Sequence, residues 1–280
     1  MSTKNIQKDI KEKREKVSNV PHSNKSSLVK NEVLGVSVTS SSEENILEYI
    51  VKKIESYAED KEKLLIVTPN PEILVYANKH KEFRDILNQA QISLPDGVGV
   101  LWAGRVLGKP FQQRITGVDF MKSLCKEVIR KPITVGFLGG RGGVAEVTSK
   151  CLQKAYPGLK VGFVGEEPGG ISNFKFQISN AQSRRFEETI TCDILFVAFG
   201  FPKQEEWMAE NLEKLDVKVM MGVGGAFDYI SGKVPRAPKL IRAIGFEWLY
   251  RLLRQPWRWK RQLALVEFVG LVLREKFSSK

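Results

Sequence analysis

From residue 31 onward the chain alternates two patterns. Short runs of consecutive apolar residues suit buried strands. Longer stretches with apolar residues every three or four positions suit amphipathic helices. The first strand is expected at 33–38. Ser41 then reads as a helix cap, with Glu44 completing a capping box and Ile46, Leu47, Ile50, Val51 and Ile54 forming the apolar stripe. Further strands are expected at 64–68, 91–94, 133–138, 159–164, 194–199 and 217–221. Asn70 and Pro71 suit the cap and first turn of one intervening helix, Leu101 and Trp102 lie in another, and Thr116 with Asp119 opens a third. The strand runs are apolar throughout rather than alternating with polar residues. Strands of that kind, separated by helices, predict an α/β fold with a mostly parallel sheet covered on both faces. After Gly232 the strand pattern stops. Residues 237–254 and 257–276 read as helices broken at Gly245 and Pro256. The expected organisation is a basic, disordered tail over 1–30, an α/β core over 31–232 and a basic helical appendage over 233–280.

Composition narrows the class. Of 280 residues 42% are hydrophobic and 27% charged, as in a soluble globular protein. No apolar run reaches the roughly 18 residues needed to span a bilayer. The first residues lack the apolar region of a cleaved secretory signal. Cys125, Cys151 and Cys192 form no CxxC pair and read as buried thiols.

Charge adds a partner. The net charge is +12, but residues 31–232 hold 24 basic and 26 acidic side chains, whereas 1–30 hold eight and three, and 233–280 hold twelve and three. Basic ends on a near-neutral core point to an anionic partner. The C-terminal stretch mixes arginines with Trp248, Tyr250, Trp257 and Trp259. Its last helix carries LALVEFVGLVL, too short to span a membrane but suited to an interface. An anionic membrane surface is therefore favoured over nucleic acid, because the aromatics flank aliphatic runs rather than a polar groove. The plainer alternatives are a solubilising N-terminal tail and a C-terminal helix docked on its own core.

In parallel α/β sheets ligands bind beyond the carboxyl ends of the strands. Five such ends carry small, polar or glycine-rich turns: Thr68 with Asn70, Asp96 in PDGVG, GGRGG at 139–143, GFPKQE with Lys203 and Gln204, and GVGGAFDYISG with Gly224 and Gly225. Together they suggest one extended cleft. Asp96 is the carboxylate best placed to act as a general base, although Asp–Gly is also what a plain turn prefers. Asp228 is a second acid, or simply a cap. Gly140, Arg141, Gly142, Gly143, Val144 and Ala145 fit a phosphate-cradling GxGxxA pattern, with Glu166 and Glu167 near a ribose-binding position. On that motif alone an NAD(P)-dependent oxidoreductase is the rival, and a tight turn without a ligand is the plain alternative. Only two histidines exist, His22 and His80, and no Asp-x-Asp occurs, so no metal site is expected. If a diphosphate leaves during catalysis, its charge must be held by helix N-termini and by cations such as Arg114, Arg141, Lys203 and the C-terminal arginines.

The ordered run TPNPEIL, PDGVGVLWAGRVLG, RITGVDF, FLGGRGGVAE, FVAFGFPKQEEW, GVGGAFDYISGKVPRAPK and GFEWLYRLLRQPWRWKR resembles the WecG/TagA/CpsF family of bacterial glycosyltransferases over roughly residues 31–262. The resemblance implies a Rossmann-like fold with a helical appendage. It implies inverting transfer of N-acetylmannosamine from a UDP-sugar donor to undecaprenyl-diphosphate-linked N-acetylglucosamine. The setting would be the cytoplasmic face of the membrane, on the way to wall teichoic acid or a surface polysaccharide, with the enzyme held peripherally. No cofactor is implied. Family relatives using a uronate or glucose donor remain the alternative. By position in the motifs, Asp96 is the base, with Arg114 and Gln204 beside it. Thr68, Asn70, Gly140, Arg141, Lys203, Gly224, Gly225 and Arg236 would bind substrate. Arg251, Arg254, Trp257 and Arg258 would meet the membrane and lipid diphosphate. Homo-oligomerisation is left open.

Overall fold

The computed structural model describes residues 28–166, 190–243, 245–256 and 259–278. The expected tail therefore lies outside the described residues up to position 27, as do Trp257, Arg258 and Glu167. The expected first strand is in fact a hairpin: β1 (Lys30–Val33) pairs antiparallel with β2 (Val36–Thr39). Leu34 and Gly35 both take positive φ, 51° and 75°, so the chain reverses where the apolar pattern looks continuous. A leucine in such a turn hides it from the sequence, because it lacks the Asn–Gly or Asp–Gly signature.

The central sheet has six parallel strands: β3 (Leu64–Val67), β4 (Ile92–Ser93), β5 (Thr134–Gly139), β6 (Lys160–Gly165), β7 (Ile194–Ala198) and β8 (Val219–Gly222). Their order is β4-β3-β8-β7-β5-β6. Strand β4 is shorter than expected, because Gln91 uses its side-chain oxygen to accept from the Leu65 N–H at 2.8 Å. Strand β6 is not buried as its sequence suggests. It lies at the sheet edge and alternates exposed and half-buried residues.

Period-two alternation sends successive strand side chains to opposite faces. Leu65, Val67, Leu195, Val197 and Met220 join one buried cluster; Leu64, Ile66, Ile194, Phe196, Val219 and Met221 join the other. The second face is covered by α1 (Glu43–Glu55), α6 (Gly117–Val128), α7 (Val144–Ala155) and α9 (Ala226–Ile230). The first is covered by α3 (Pro71–Lys79), α4 (Lys81–Gln89), α5 (Val98–Val106), α8 (Lys203–Asn211) and α12 (Trp259–Ser278). A single turn, α2 (Tyr57–Asp60), follows α1. The cap of α1 is Ser42, one residue later than expected, because the Ser41 hydroxyl instead accepts from the Val29 N–H. Asn70 caps α3 through the Ile73 N–H at 3.1 Å, with Pro71 at the first helical position.

The C-terminal stretch forms α10 (Lys239–Ala243), α11 (Glu247–Arg254) and α12, with Gly245 and Pro256 at the breaks. Helix α12 uses two faces. Phe268 and Val272 are buried in the core against α3 and α5, whereas Leu263, Val266 and Phe277 stay 57%, 74% and 70% exposed. Lys79 pairs with Glu267 at 2.7 Å, and the Leu34 N–H donates to Glu275 at 3.0 Å, holding the helix in register. No helix among the described residues is long and apolar enough to cross a membrane.

Candidate active site

A cavity of about 750 Å³ opens at the carboxyl end of β3 and β4. The turn after β3 contributes Asn70 and Pro71. The turn after β4 contributes Asp96, and the segment leading into α6 contributes Arg114 and Thr116. The C-terminal segment closes the far side with Arg236, Glu247, Trp248 and Arg251, and Tyr229 enters from α9. The cavity is amphipathic. Leu101, Trp102, Leu265, Phe268 and Val269 line an apolar end between α5 and α12, next to the charged end.

Asp96 sits at the charged end, with its backbone N–H bonded to the Pro69 carbonyl at 3.2 Å. Burial pushes its pKa up to about 7. The Gly117 N–H and the Arg114 charge oppose that rise; the negative charges of Glu247 and Asp119 add to it. A carboxylate with a pKa near neutrality suits a general base.

Arg114 donates through Nη2 to the Arg242 carbonyl at 2.8 Å, tying the strap that follows residue 232 to the core. Arg236 is clasped by two carboxylates. Its Nη1 and Nη2 reach Asp119 Oδ1 and Oδ2 at 2.6 and 2.7 Å, and its Nε reaches Glu247 Oε1 at 3.2 Å. Burial raises the Asp119 pKa, but the bonds from Arg236 and the Thr116 hydroxyl outweigh it and hold it down to about 2. Arg251 stacks over the Tyr229 ring at 5.1 Å and donates to Gln255 at 3.4 Å. A side chain at Gly225 would stand 3.2 Å from the Arg251 guanidinium, so glycine there makes room for it. Gly245, at φ +83°, lets the strap lie on α5: a Cβ would fall 2.2 Å from Val98 Cγ1.

Other expected site residues lie off this cavity. Thr68 is buried, donates to the Gly222 carbonyl at 3.3 Å and packs beneath Gly117. Gln204 is buried at the start of α8. Its Nε2 donates to Glu205 at 2.7 Å and its Oε1 accepts from the Gly224 N–H at 3.0 Å, so it pins the turn after β8. Lys203 begins the same helix. Gly140 and Arg141 lie beyond β5, outside the cavity lining. Two N–H groups of the expected phosphate cradle already have partners, Gly140 with the Ala198 carbonyl at 3.1 Å and Gly143 with the Glu166 carboxylate. Glu166, placed near a ribose-binding position in the rival reading, is thereby engaged by the turn after β5. Arg254 is exposed and stacks over Tyr250 at 5.5 Å. Among the described residues no group of three His, Cys, Asp or Glu is gathered to hold a metal ion.

Sequence reasoning missed Asp119 and Glu247. Asp119 reads as the acid of a helix cap, a role that needs no distant partner; only its place in RITGVDF hinted at more.

A parallel sheet with a neutral-range carboxylate and arginines at its carboxyl edge is the layout of a group-transfer enzyme for an anionic substrate. The glycosyl transferase WecG/TagA/CpsF family matches residues 31–280. The chain belongs to that family. It is 33% identical over 224 residues to the N-acetylglucosaminyldiphosphoundecaprenol N-acetyl-beta-D-mannosaminyltransferase of Bacillus spizizenii W23, covering 80% of this chain and 84% of the relative. To the protein of the same name in Bacillus subtilis 168 it is 31% identical over 239 residues, 84% and 89% of the two chains. To that of Staphylococcus aureus MRSA252 it is 35% identical over 198 residues, 71% and 74%.

Proposed function

We propose that this protein transfers N-acetylmannosamine from a UDP donor to N-acetylglucosamine carried on undecaprenyl diphosphate, with inversion. The observation that carries the reading is the placement of Asp96, whose pKa burial pushes up to about 7, in the lining of one cavity with Arg114 and Arg251. Ionised Asp96 takes the proton of the acceptor hydroxyl as its oxygen attacks the anomeric carbon, and the bond from that carbon to the UDP oxygen breaks. The negative charge that appears on the departing diphosphate meets the guanidinium groups of Arg114 and Arg251. The amphipathic cavity suits an acceptor that is sugar diphosphate at one end and polyprenyl at the other. The names of the relatives support the same transferred sugar and the same acceptor.

A lipid-borne acceptor needs an enzyme that reaches the membrane surface without spanning it. The outward face of α12, with Leu263, Val266 and Phe277, and the basic C-terminal segment suit contact with anionic lipid on the cytoplasmic side. Each lysine or arginine near such a surface contributes about 1 kcal/mol. We further propose that catalysis needs no metal, the arginines supplying the charge.

The test is a donor screen with a short-chain lipid-diphosphate-GlcNAc acceptor, read by product mass. UDP-N-acetylmannosamine is expected to give the disaccharide lipid. Product only from UDP-N-acetylmannosaminuronate or UDP-glucose would replace the sugar assignment. No product from any of the three, together with saturable NAD(P) binding, would replace the class of reaction.

A further inference from the structure

We propose that Asp119 is a positioning residue for the transfer: with Glu247 it clasps Arg236 and so holds the strap between α9 and α11 over Asp96. The proposal rests on the transferase reading for its role in turnover, and on geometry alone for the clasp. Arg236 comes from the strap and Asp119 from the first turn of α6, 117 positions apart in the chain. The two oxygens of Asp119 take the two terminal nitrogens of the guanidinium in parallel, the bidentate arrangement that fixes both distance and plane. Glu247, at the start of α11, takes the remaining Nε. The clasp therefore joins three elements: α6, the strap and α11.

The same turn of α6 reaches the base. The Thr116 hydroxyl donates to Asp119 Oδ2 at 2.7 Å, and Thr116 lines the same cavity as Asp96 and Arg236. A path of hydrogen bonds thus runs from Glu247 through Arg236 and Asp119 to Thr116, beside Asp96 in the cavity lining. Two further contacts seat the strap, Arg114 on the Arg242 carbonyl and Gly245 on Val98. They leave Arg236 as the only strap arginine clasped by two carboxylates among the described residues. With three of its five N–H groups given to Asp119 and Glu247, Arg236 serves better as a fastener than as a free cation for a diphosphate. A residue needed only to cap α6 would have no reason to meet an arginine from another element.

The test uses the full-length protein carrying Asp119→Asn, Asp119→Glu or Glu247→Gln. Amide exchange of residues 236–247, followed by mass spectrometry without substrate, is expected to quicken about tenfold in Asp119→Asn. Its kcat is expected to fall at least tenfold with the donor KM within twofold, and Asp119→Glu is expected to recover most of that loss. Glu247→Gln, which leaves α6 untouched, is expected to move both readings the same way by a smaller factor. Unchanged exchange in Asp119→Asn, or a kcat within twofold of wild type, overturns the proposal. A loss that appears only together with a lowered Tm, and that Asp119→Glu and Glu247→Gln do not follow, also overturns it, since it would be a helix-cap effect. The exchange reading needs no sugar, so it judges the clasp even where the donor screen overturns the transferase reading.

Discussion

The sheet edge and the C-terminal segment build opposite walls of one cavity by different means. The edge is fixed by burial. Strands β3, β7 and β8 are wholly buried, and the turns after β3 and β4 are held by backbone bonds such as Leu94 to Val67 and Asp96 to Pro69. The C-terminal wall is held by a few polar fastenings and by one face of α12. The first wall brings Asp96, the base of the proposed reaction; the second brings Arg236 and Arg251. The difference implies that damage to the edge abolishes chemistry, whereas damage to the other wall weakens it by degrees or moves it off the membrane.

The largest expected effect is on the edge. Asp96→Asn is expected to lower turnover by about 10³-fold, with donor affinity within twofold by calorimetry, since general-base catalysis is worth 10²–10⁴. The same substitution carries a stability signature. The folded pKa of Asp96 is raised from 3.8 to about 7, so the native state binds the extra proton between those values. Wild-type stability contributed by this group is therefore present at pH 4 and lost as pH rises through 7. Relative to wild type, Asp96→Asn is expected to gain about 1–3 kcal/mol between pH 4 and pH 8, read from urea midpoints. A loss of stability that grows with pH would mean that Asp96 is held as a charged partner rather than as a strained base.

The next effect separates the two faces of α12. Phe268→Ala is expected to destabilise by about 3 kcal/mol, because it leaves a cavity in the core cluster shared with α3 and α5. Leu263→Ser with Val266→Ser, on the outward face, is expected to change stability by about 0.5 kcal/mol or less but to weaken binding to anionic vesicles about tenfold or more in a sedimentation assay. Equal effects of the two changes on folding and on vesicle binding would erase the distinction between docked and outward faces. The smallest expected effect is that of EDTA, under which turnover is expected to stay within twofold. A strong loss would transfer part of the diphosphate's neutralisation from arginine to a divalent ion.

Much of the core was legible in the amino-acid order. Apolar runs marked the buried strands, Asn70–Pro71 marked the start of α3, and Thr116 marked the cap of α6. Each of these signals acts within a few residues, where propensity and capping decide. The hairpin at Leu34–Gly35 escaped because a leucine adopted a turn conformation more usual for glycine or asparagine. The edge position of β6 escaped because an apolar run does not say how many neighbours its strand will have.

The site was only partly readable, for a related reason. Chain order was enough to specify that polar and glycine-rich turns, Asp96 among them, would follow the strands of a parallel sheet. It also determined that the C-terminal helix would be apolar on more than one side. Tertiary structure alone decided which turns share a cavity, that two cradle amides at 140 and 143 are already spent, and that Arg236 is matched to an aspartate 117 positions away. Hydrogen-bonding and apolar groups announce their capacity in the chain order. Which partner satisfies them depends on distances set only when the sheet, the strap and α12 come together.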